Sequence, residues 1–401
     1  MTFQIAVIST IWYPASHTDV IVTRWLEPRP EDLEWGWDHF ASQKTQIASL
    51  YVEQFPAQDR REISDEGFTR NRYRTDLDLA HSMAEKHDLP LYNSVRDALT
   101  LGGETLAVDG VILIGEHGDY PFNELHQKMY PRKELFDAII AVFHESGKVV
   151  PLFCDKHLSW NPDWAKEMIA TTQEMSIPFF AGSSLSLVGL SPPAPDLKGE
   201  ELEEMVALFY VGPETYGFHS LELMQSLIEK RKGGESGISR ITAYVGEDVE
   251  RAMERGLFSR DLFEAALDAT ESKSEGDWRE NCRGKVTYEG TISPLVFVLE
   301  HADGFRSSHV MLEGHLQDFT AALRKKDRTL IVGRSANGGE GSFYGHFATL
   351  SANIETLFLT GVPPVPPKRT LLTTLAIAAC MKVLQTPGQP LDTPDLEFSY
   401  S

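Results

Sequence analysis

Apolar residues in this chain come in short dense runs separated by amphipathic stretches. The sharpest case is Val111, Ile112, Leu113 and Ile114, which stand between Gly110 and Gly115. Such a run is too short for a helix of its own and reads as a strand buried on both faces. A helical pattern over 131–145 leads through Gly147 to a second buried run at 149–153. A helix over 162–175 follows, then a strand at 178–181 that closes on Gly182, Ser183 and Ser184. Strands separated by helices predict a parallel sheet with right-handed crossovers. Upstream, residues 3–8 are expected as the first, central strand, 45–52 as the second and 90–92 as the third, with helices over 16–26 and 77–86. The stretch 28–43, which holds Trp35 and Trp37, reads as an insertion packed over the domain edge. Residues 56–75 lack periodicity and read as a loop.

After Ser184 the pattern changes. Ser191, Pro192, Pro193, Ala194 and Pro195 form a hinge, which divides residues 1–190 from 191–401. Strand-like runs at 204–211, 241–245, 286–288, 295–301 and 309–312 predict a mainly antiparallel sheet, with Asp303-Gly304 as a hairpin turn. Helices are expected at 223–231, within 248–269, at 343–361 and at 370–384. The fold class is α/β: a Rossmann-like parallel-sheet domain, then an α+β domain with an open-faced, mainly antiparallel sheet.

Composition narrows the partners. Asp and Glu number 59 against 37 Lys and Arg, a net charge of −22, so no nucleic-acid surface is expected. No apolar run is long enough to span a bilayer and no charged leader precedes residues 3–8, so no membrane partner is expected either. Cys154, Cys282 and Cys380 are scattered without pair spacing, which suits a reduced, cytoplasmic protein. A small-molecule substrate remains as the expected partner.

Ligands of open parallel sheets bind beyond the carboxyl ends of the strands, and reactive side chains gather there. Glu116, His117, Asp119 and Tyr120 follow the strand at 111–114. Asp155, Lys156 and His157 follow the run at 149–153. Gly217, His219 and Glu222 precede the helix expected at 223–231. The block from Gly147 through Asp155-Lys156-His157 to Ala181-Gly182 resembles the family of glucose–fructose oxidoreductase and inositol dehydrogenase (Gfo/Idh/MocA). There the strand runs into Glu-Lys-Pro, so this chain has Asp for Glu and His for Pro. Pro90 to Ser94, Asp97-Ala98-Leu99 and the Gly217, His219, Glu222 spacing extend the resemblance over most of the chain, with Thr215 in place of a leading Asp.

The resemblance implies an NAD- or NADP-dependent oxidoreductase for a sugar, polyol or related hydroxylated molecule. His219 would be the acid/base, Lys156 the cation stabilising a developing alkoxide, and Asp155 the neighbour completing that group. His117, Asp119, Tyr120, His157 and Glu222 would contact substrate. The helix at 370–384 would pack back on the first domain, and a homodimer or homotetramer would form through the second sheet. The cofactor loop departs from the pattern: the family's three glycines fall on Ser9, Ile11 and Pro14, and only the trailing His17 matches. Ile11 sets a side chain where the backbone approaches a pyrophosphate, and Pro14 removes an N–H donor. The helix start still favours an anion, with Ser9, Thr10, Ile11 and His17 around it, Glu116 nearby and Glu53 as a ribose partner that suits NAD better. His17 reads equally as a cap or packing residue.

Two other readings of the same pocket stay open. His117, Asp155, His157 and His219 are ligand types for Zn or Mn in a lyase or hydrolase, though without His-x-His or His-x-x-x-His spacing. The glycine-poor loop also suits a cofactor-free, non-catalytic binding protein.

Overall fold

The computed structural model describes residues 2–62, 74–338 and 342–400. Its first sheet has six strands: β1 (Phe3–Ile11), β2 (Thr45–Gln54), β3 (Leu91–Tyr92), β4 (Gly110–Ile114), β5 (Leu152–Asp155) and β6 (Phe179–Gly182). They lie in the order β3-β2-β1-β4-β5-β6, all parallel. The helices between them include α1 (His17–Leu26), α2 (Ala80–Lys86), α3 (Val95–Thr100), α4 (Arg132–Ser146) and α5 (Pro162–Glu174). Alternate strand residues feed two cores. Ile5, Val7, Ile112 and Phe153 pack on one face, and Ala6, Ile8, Val111 and Leu152 on the other. That two-sided burial is why these strands read as continuous apolar runs.

Three local expectations change. β1 runs on through Ser9, Thr10 and Ile11, with Ser9 beside Val52 and Ile114; these residues are strand, not loop. Their hydroxyls are satisfied inside: Ser9 Oγ bonds Thr18 Oγ1 at 2.6 Å, and Thr10 Oγ1 donates to the Glu116 carbonyl at 2.7 Å. β5 starts at Leu152, because Pro151 has no N–H for the ladder and contributes only its carbonyl, which accepts from Val111 N at 3.0 Å. Asp155 therefore belongs to the strand. Leu77–Asp78 is a short strand paired with Gln58–Asp59, and the helix begins at Ala80. Within the loop expected at 56–75, residues 63–73 lie outside the described residues.

The second sheet contains β7 (Leu190–Ser191), β8 (Leu202–Phe209), β9 (Ile238–Val245), β10 (Leu295–His301), β11 (Arg306–Met311), β12 (Thr320–Lys325), β13 (Leu330–Ser335) and β14 (Leu391–Asp392). The order is β14-β9-β10-β11-β8-β12-β13-β7, and only β8 and β11 pair in parallel. The turn at Asp303-Gly304 joins β10 to β11 as expected. Residues 286–288 are not a strand: Val286 makes a single bridge to Ile292. β12 and β13 were not anticipated, since Arg324, Lys325 and Arg334 interrupt their apolar alternation.

One face of this sheet packs on α6 (Thr215–Ile228) through Met205, Ala207, Phe209 and Phe297. The opposite face presents Val206, Leu208, Val296 and Val298. It is packed by α7 (Asp248–Glu254) and α8 (Arg260–Asp268) through Val249, Leu262 and Phe263. Subunit association through that face would have to run through these helices. α6 begins at Thr215 rather than near Leu223, because the Glu289 carboxylate accepts from the Glu214 and Thr215 N–H groups at 2.8 and 3.1 Å and caps the start. The last helices are α9 (His346–Thr360) and α10 (Pro367–Val383). α10 touches both layers: Thr370 Oγ1 donates to the Ala181 carbonyl at 2.7 Å, while Leu372 joins the core beneath the second sheet.

Candidate active site

The carboxyl ends of β1, β4, β5 and β6 face the start of α6 across a cavity of about 910 Å³, lined among others by Tyr13, His17, Glu116, His117, Lys156 and His219. At its floor lies a buried charge group. Lys156 and His117 both have left-handed backbones, φ +59° and +67°, uncommon for residues with a Cβ. Lys156 is held in this turn by its N–H, which donates to the Gly182 carbonyl at 3.3 Å. Its ammonium lies 3.0 Å from Glu116 Oε1, and Arg132 donates to Glu116 Oε2. Burial opposes ionisation of Glu116, but Lys156 and Arg132 outweigh it and hold this carboxyl well below the usual range.

Three imidazoles, His17, His117 and His219, stand around that ion pair. His17 is the first residue of α1, and its Nδ1 lies 2.6 Å from Asp155 Oδ2. Ser16, not His17, caps the helix, accepting from Asp19 N. His219 Nδ1 lies 2.5 Å from Ser183 Oγ. The His17 and His219 ring centres are 6.5 Å apart, and His117 meets His17 edge-on at 5.2 Å. Burial, then Lys156 and His17, hold His219 well below its ordinary pKa. Burial pushes His117 and His346 down to about 3.

Lys156 and His219 thus share one cavity, with Asp155 directly beneath and His117 in the wall. His157 turns away from it: Arg132 lies 3.4 Å from its Nε2, Glu214 lies 3.8 Å away, and its ring packs on Phe218. Glu222 is fully buried outside the lining, accepting from Ser183 N at 3.3 Å and Thr373 Oγ1 at 2.6 Å. Asp119 and Tyr120 also lie outside the lining. Asp119 exchanges hydrogen bonds with the Gln54 side chain, and the Tyr120 hydroxyl donates to Glu53. The substrate roles expected for these four residues are not supported by their positions. Nor do the metal-ligand candidates converge. Among the described residues, the group whose donor atoms come together is Asp59, Asp78 and His81; no three of His117, Asp155, His157 and His219 do so.

Sequence reasoning missed several residues of the site. Ser183, just past β6, lies behind the lining and holds His219; a hydroxyl at a strand end is the signal that could have found it. Tyr216 and Phe319 stack at 5.5 Å as an aromatic wall, and His346 bonds Ser184 Oγ at 3.1 Å. Phe319 and His346 arrive from distant segments, and no local pattern marks them.

No protein-family model matches the chain, and no curated protein matches it by sequence. Solved structures do match. A myo-inositol dehydrogenase from Corynebacterium glutamicum aligns over 98% of this chain and 99% of its own, at TM-score 0.55 and 12% identity. GenD2 from gentamicin A biosynthesis, solved in complex with NAD, aligns over 98% and 96%, at TM-score 0.57 and 12% identity. A scyllo-inositol dehydrogenase from Lactobacillus casei, solved with NAD(H) and scyllo-inositol, aligns over 98% and 99%, at TM-score 0.53 and 7% identity. The chain has the fold of these solved structures, two of which are inositol dehydrogenases.

The turn after β1 does not fit a dinucleotide pyrophosphate as it stands. Trp12 is fully buried, and Pro14 has no N–H. Tyr13 N and Asp19 N donate to Ser16 Oγ, Ala15 N to Asp19 Oδ2 at 2.9 Å, and Ser16 N to the Tyr13 carbonyl. The donors that would cradle phosphate oxygens are spent locally, and one of their partners is a carboxylate, which repels an anion. The side chains expected to replace them are also engaged: Ser9 with Thr18, Thr10 with Glu116, His17 with Asp155. Glu53, the expected ribose partner, holds Tyr120 instead.

Proposed function

We propose that the protein is an oxidoreductase acting on a sugar, polyol or related hydroxylated small molecule, with Lys156 and His219 as the reacting pair. What carries this reading is their meeting in one cavity at the strand ends of an inositol dehydrogenase fold. The proton-transfer half of the reaction follows from the chain's own residues. A substrate hydroxyl placed between them loses its proton to the neutral imidazole of His219, while the Lys156 ammonium stabilises the alkoxide. Glu116, itself held by Arg132, keeps that ammonium fixed in a site largely withdrawn from water, where its field is strongest. Tyr216 and Phe319 offer an apolar wall for the C–H face of a ring.

The closed turn favours a second reading, a lyase- or hydrolase-type proton transfer that needs no dinucleotide. One experiment separates the two. NADH and NADPH are titrated against protein tryptophan fluorescence, and a panel of inositols and aldoses is assayed with and without NAD⁺ or NADP⁺. The oxidoreductase reading expects saturation at micromolar concentration or weaker, because each lost charge-assisted phosphate contact is worth about 1.5–3 kcal/mol. Turnover should require cofactor and vanish in Lys156→Met. Absence of binding at millimolar dinucleotide, with cofactor-independent turnover, moves the assignment to the second reading. Turnover that survives both Lys156→Met and His219→Asn overturns both.

A further inference from the structure

We propose that His17, oriented by Asp155, is a second acid–base group of this cavity, working beside His219 at the Lys156 centre. The resemblance gives His17 only to a cofactor loop, and the turn there is closed. Its other ordinary roles are accounted for. Ser16 caps α1, so His17 is not needed as a cap. Its Nδ1 is taken by Asp155 at 2.6 Å, while its Nε2 has no hydrogen-bond partner among the described residues and its ring lines the cavity.

The two imidazoles are held differently, and the difference assigns their roles. A carboxylate only accepts, so Asp155 fixes the proton of His17 on Nδ1 and leaves a basic lone pair on Nε2. Ser183 Oγ is both donor and acceptor, so His219 can carry its proton on either nitrogen. His17 is therefore set as a base for a second substrate proton, while His219 can take the hydroxyl proton and give it back. The step is a proton transfer alone. His17 Nε2 takes a proton from the substrate, the bonding pair stays on the substrate oxygen or carbon, and Asp155 balances the imidazolium. Lys156 faces the negative charge left behind. With the ring centres 6.5 Å apart, the pair brackets one reacting unit, such as a vicinal diol or hydroxycarbonyl.

This inference rests on the cavity being the reacting site, and its test separates the two. In protein labelled with ¹⁵N at histidine and assigned with His17→Asn, long-range ¹H–¹⁵N spectra should show His17 protonated on Nδ1. Asp155→Asn should move that proton to Nε2, because an amide can donate to Nδ1. On the sugar or polyol turned over in the panel, both variants should lower kcat by about 10²–10⁴, with KM changed less than about threefold. Wild-type His17 protonated on Nε2 overturns the proposal even if no panel member reacts. So does an unchanged kcat in His17→Asn while Lys156→Met abolishes turnover, a result that leaves the site itself standing. Turnover indifferent to Lys156, His219 and His17 alike overturns the site and the dyad together.

Discussion

Glu116→Gln removes the charge at the centre of the site while keeping its shape. Glu116 is 2% exposed, Lys156 3% and Arg132 0%, so the substitution leaves an ammonium and a guanidinium buried together against a neutral amide. At 3.0 Å and an effective dielectric near 20, the lost Lys156 attraction alone is about 5 kcal/mol. Removing one partner of a buried pair costs about 3–5 kcal/mol in practice, since the stranded charge must be desolvated without compensation. Out of a total stability of about 5–15 kcal/mol, that is a large share. Urea unfolding followed by tryptophan fluorescence measures it at pH 7. Lys156→Met in the Glu116→Gln background should recover part of the loss, because a hydrocarbon then replaces the uncompensated cation. The pH dependence gives a second check. Despite burial, Lys156 and Arg132 depress the Glu116 carboxyl in the folded state. Its contribution is therefore present above the ordinary carboxylate pKa and lost as pH falls through the folded value. Wild type and variant should differ most near neutrality and converge in acid. A loss below about 1 kcal/mol, or pH curves that stay parallel, would refute the reasoning.

Gly182→Ala places a Cβ 2.6 Å from Glu222 Oε2 at a residue with φ +131°. It should destabilise by about 2–4 kcal/mol and lower turnover by shifting Ser183 from His219; a urea midpoint within error of wild type would count against this. Burial pushes His117, His309 and His346 down to about 3, below the unfolded value of about 6.5. Their contribution is present above that unfolded value and lost as pH falls toward 3, by up to about 1.4 kcal/mol per histidine per pH unit. Melting temperature should fall between pH 7 and 5, and His309→Asn, away from the cavity, should flatten the slope; an identical slope would rule out this origin.

The parallel strands were legible because a strand buried on both faces leaves an uninterrupted apolar run, and such runs separated by helices admit few topologies. The meeting of Lys156 and His219 in one cavity was expected only through the resemblance to the inositol dehydrogenase pattern. The fate of hydroxyls and carboxylates was not legible. Ser9 and Thr10 look like loop residues in sequence, yet their hydroxyls close on Thr18 and Glu116 and extend β1. Glu222 looks like a ligand contact, yet it is spent on Ser183 and Thr373. Asp155, Lys156 and His157 show the division most plainly. The sequence by itself determined that three polar side chains would sit together at a buried strand's end. Only the tertiary structure decided that Asp155 would hold His17, Lys156 would enter the cavity against Glu116, and His157 would turn to Arg132 and Glu214. The cause is the left-handed backbone at Lys156, which breaks the strand's two-residue alternation and sends neighbouring side chains in different directions. A residue with a Cβ keeps that conformation only where its surroundings impose it, here the contact with Gly182 and the pull of Glu116.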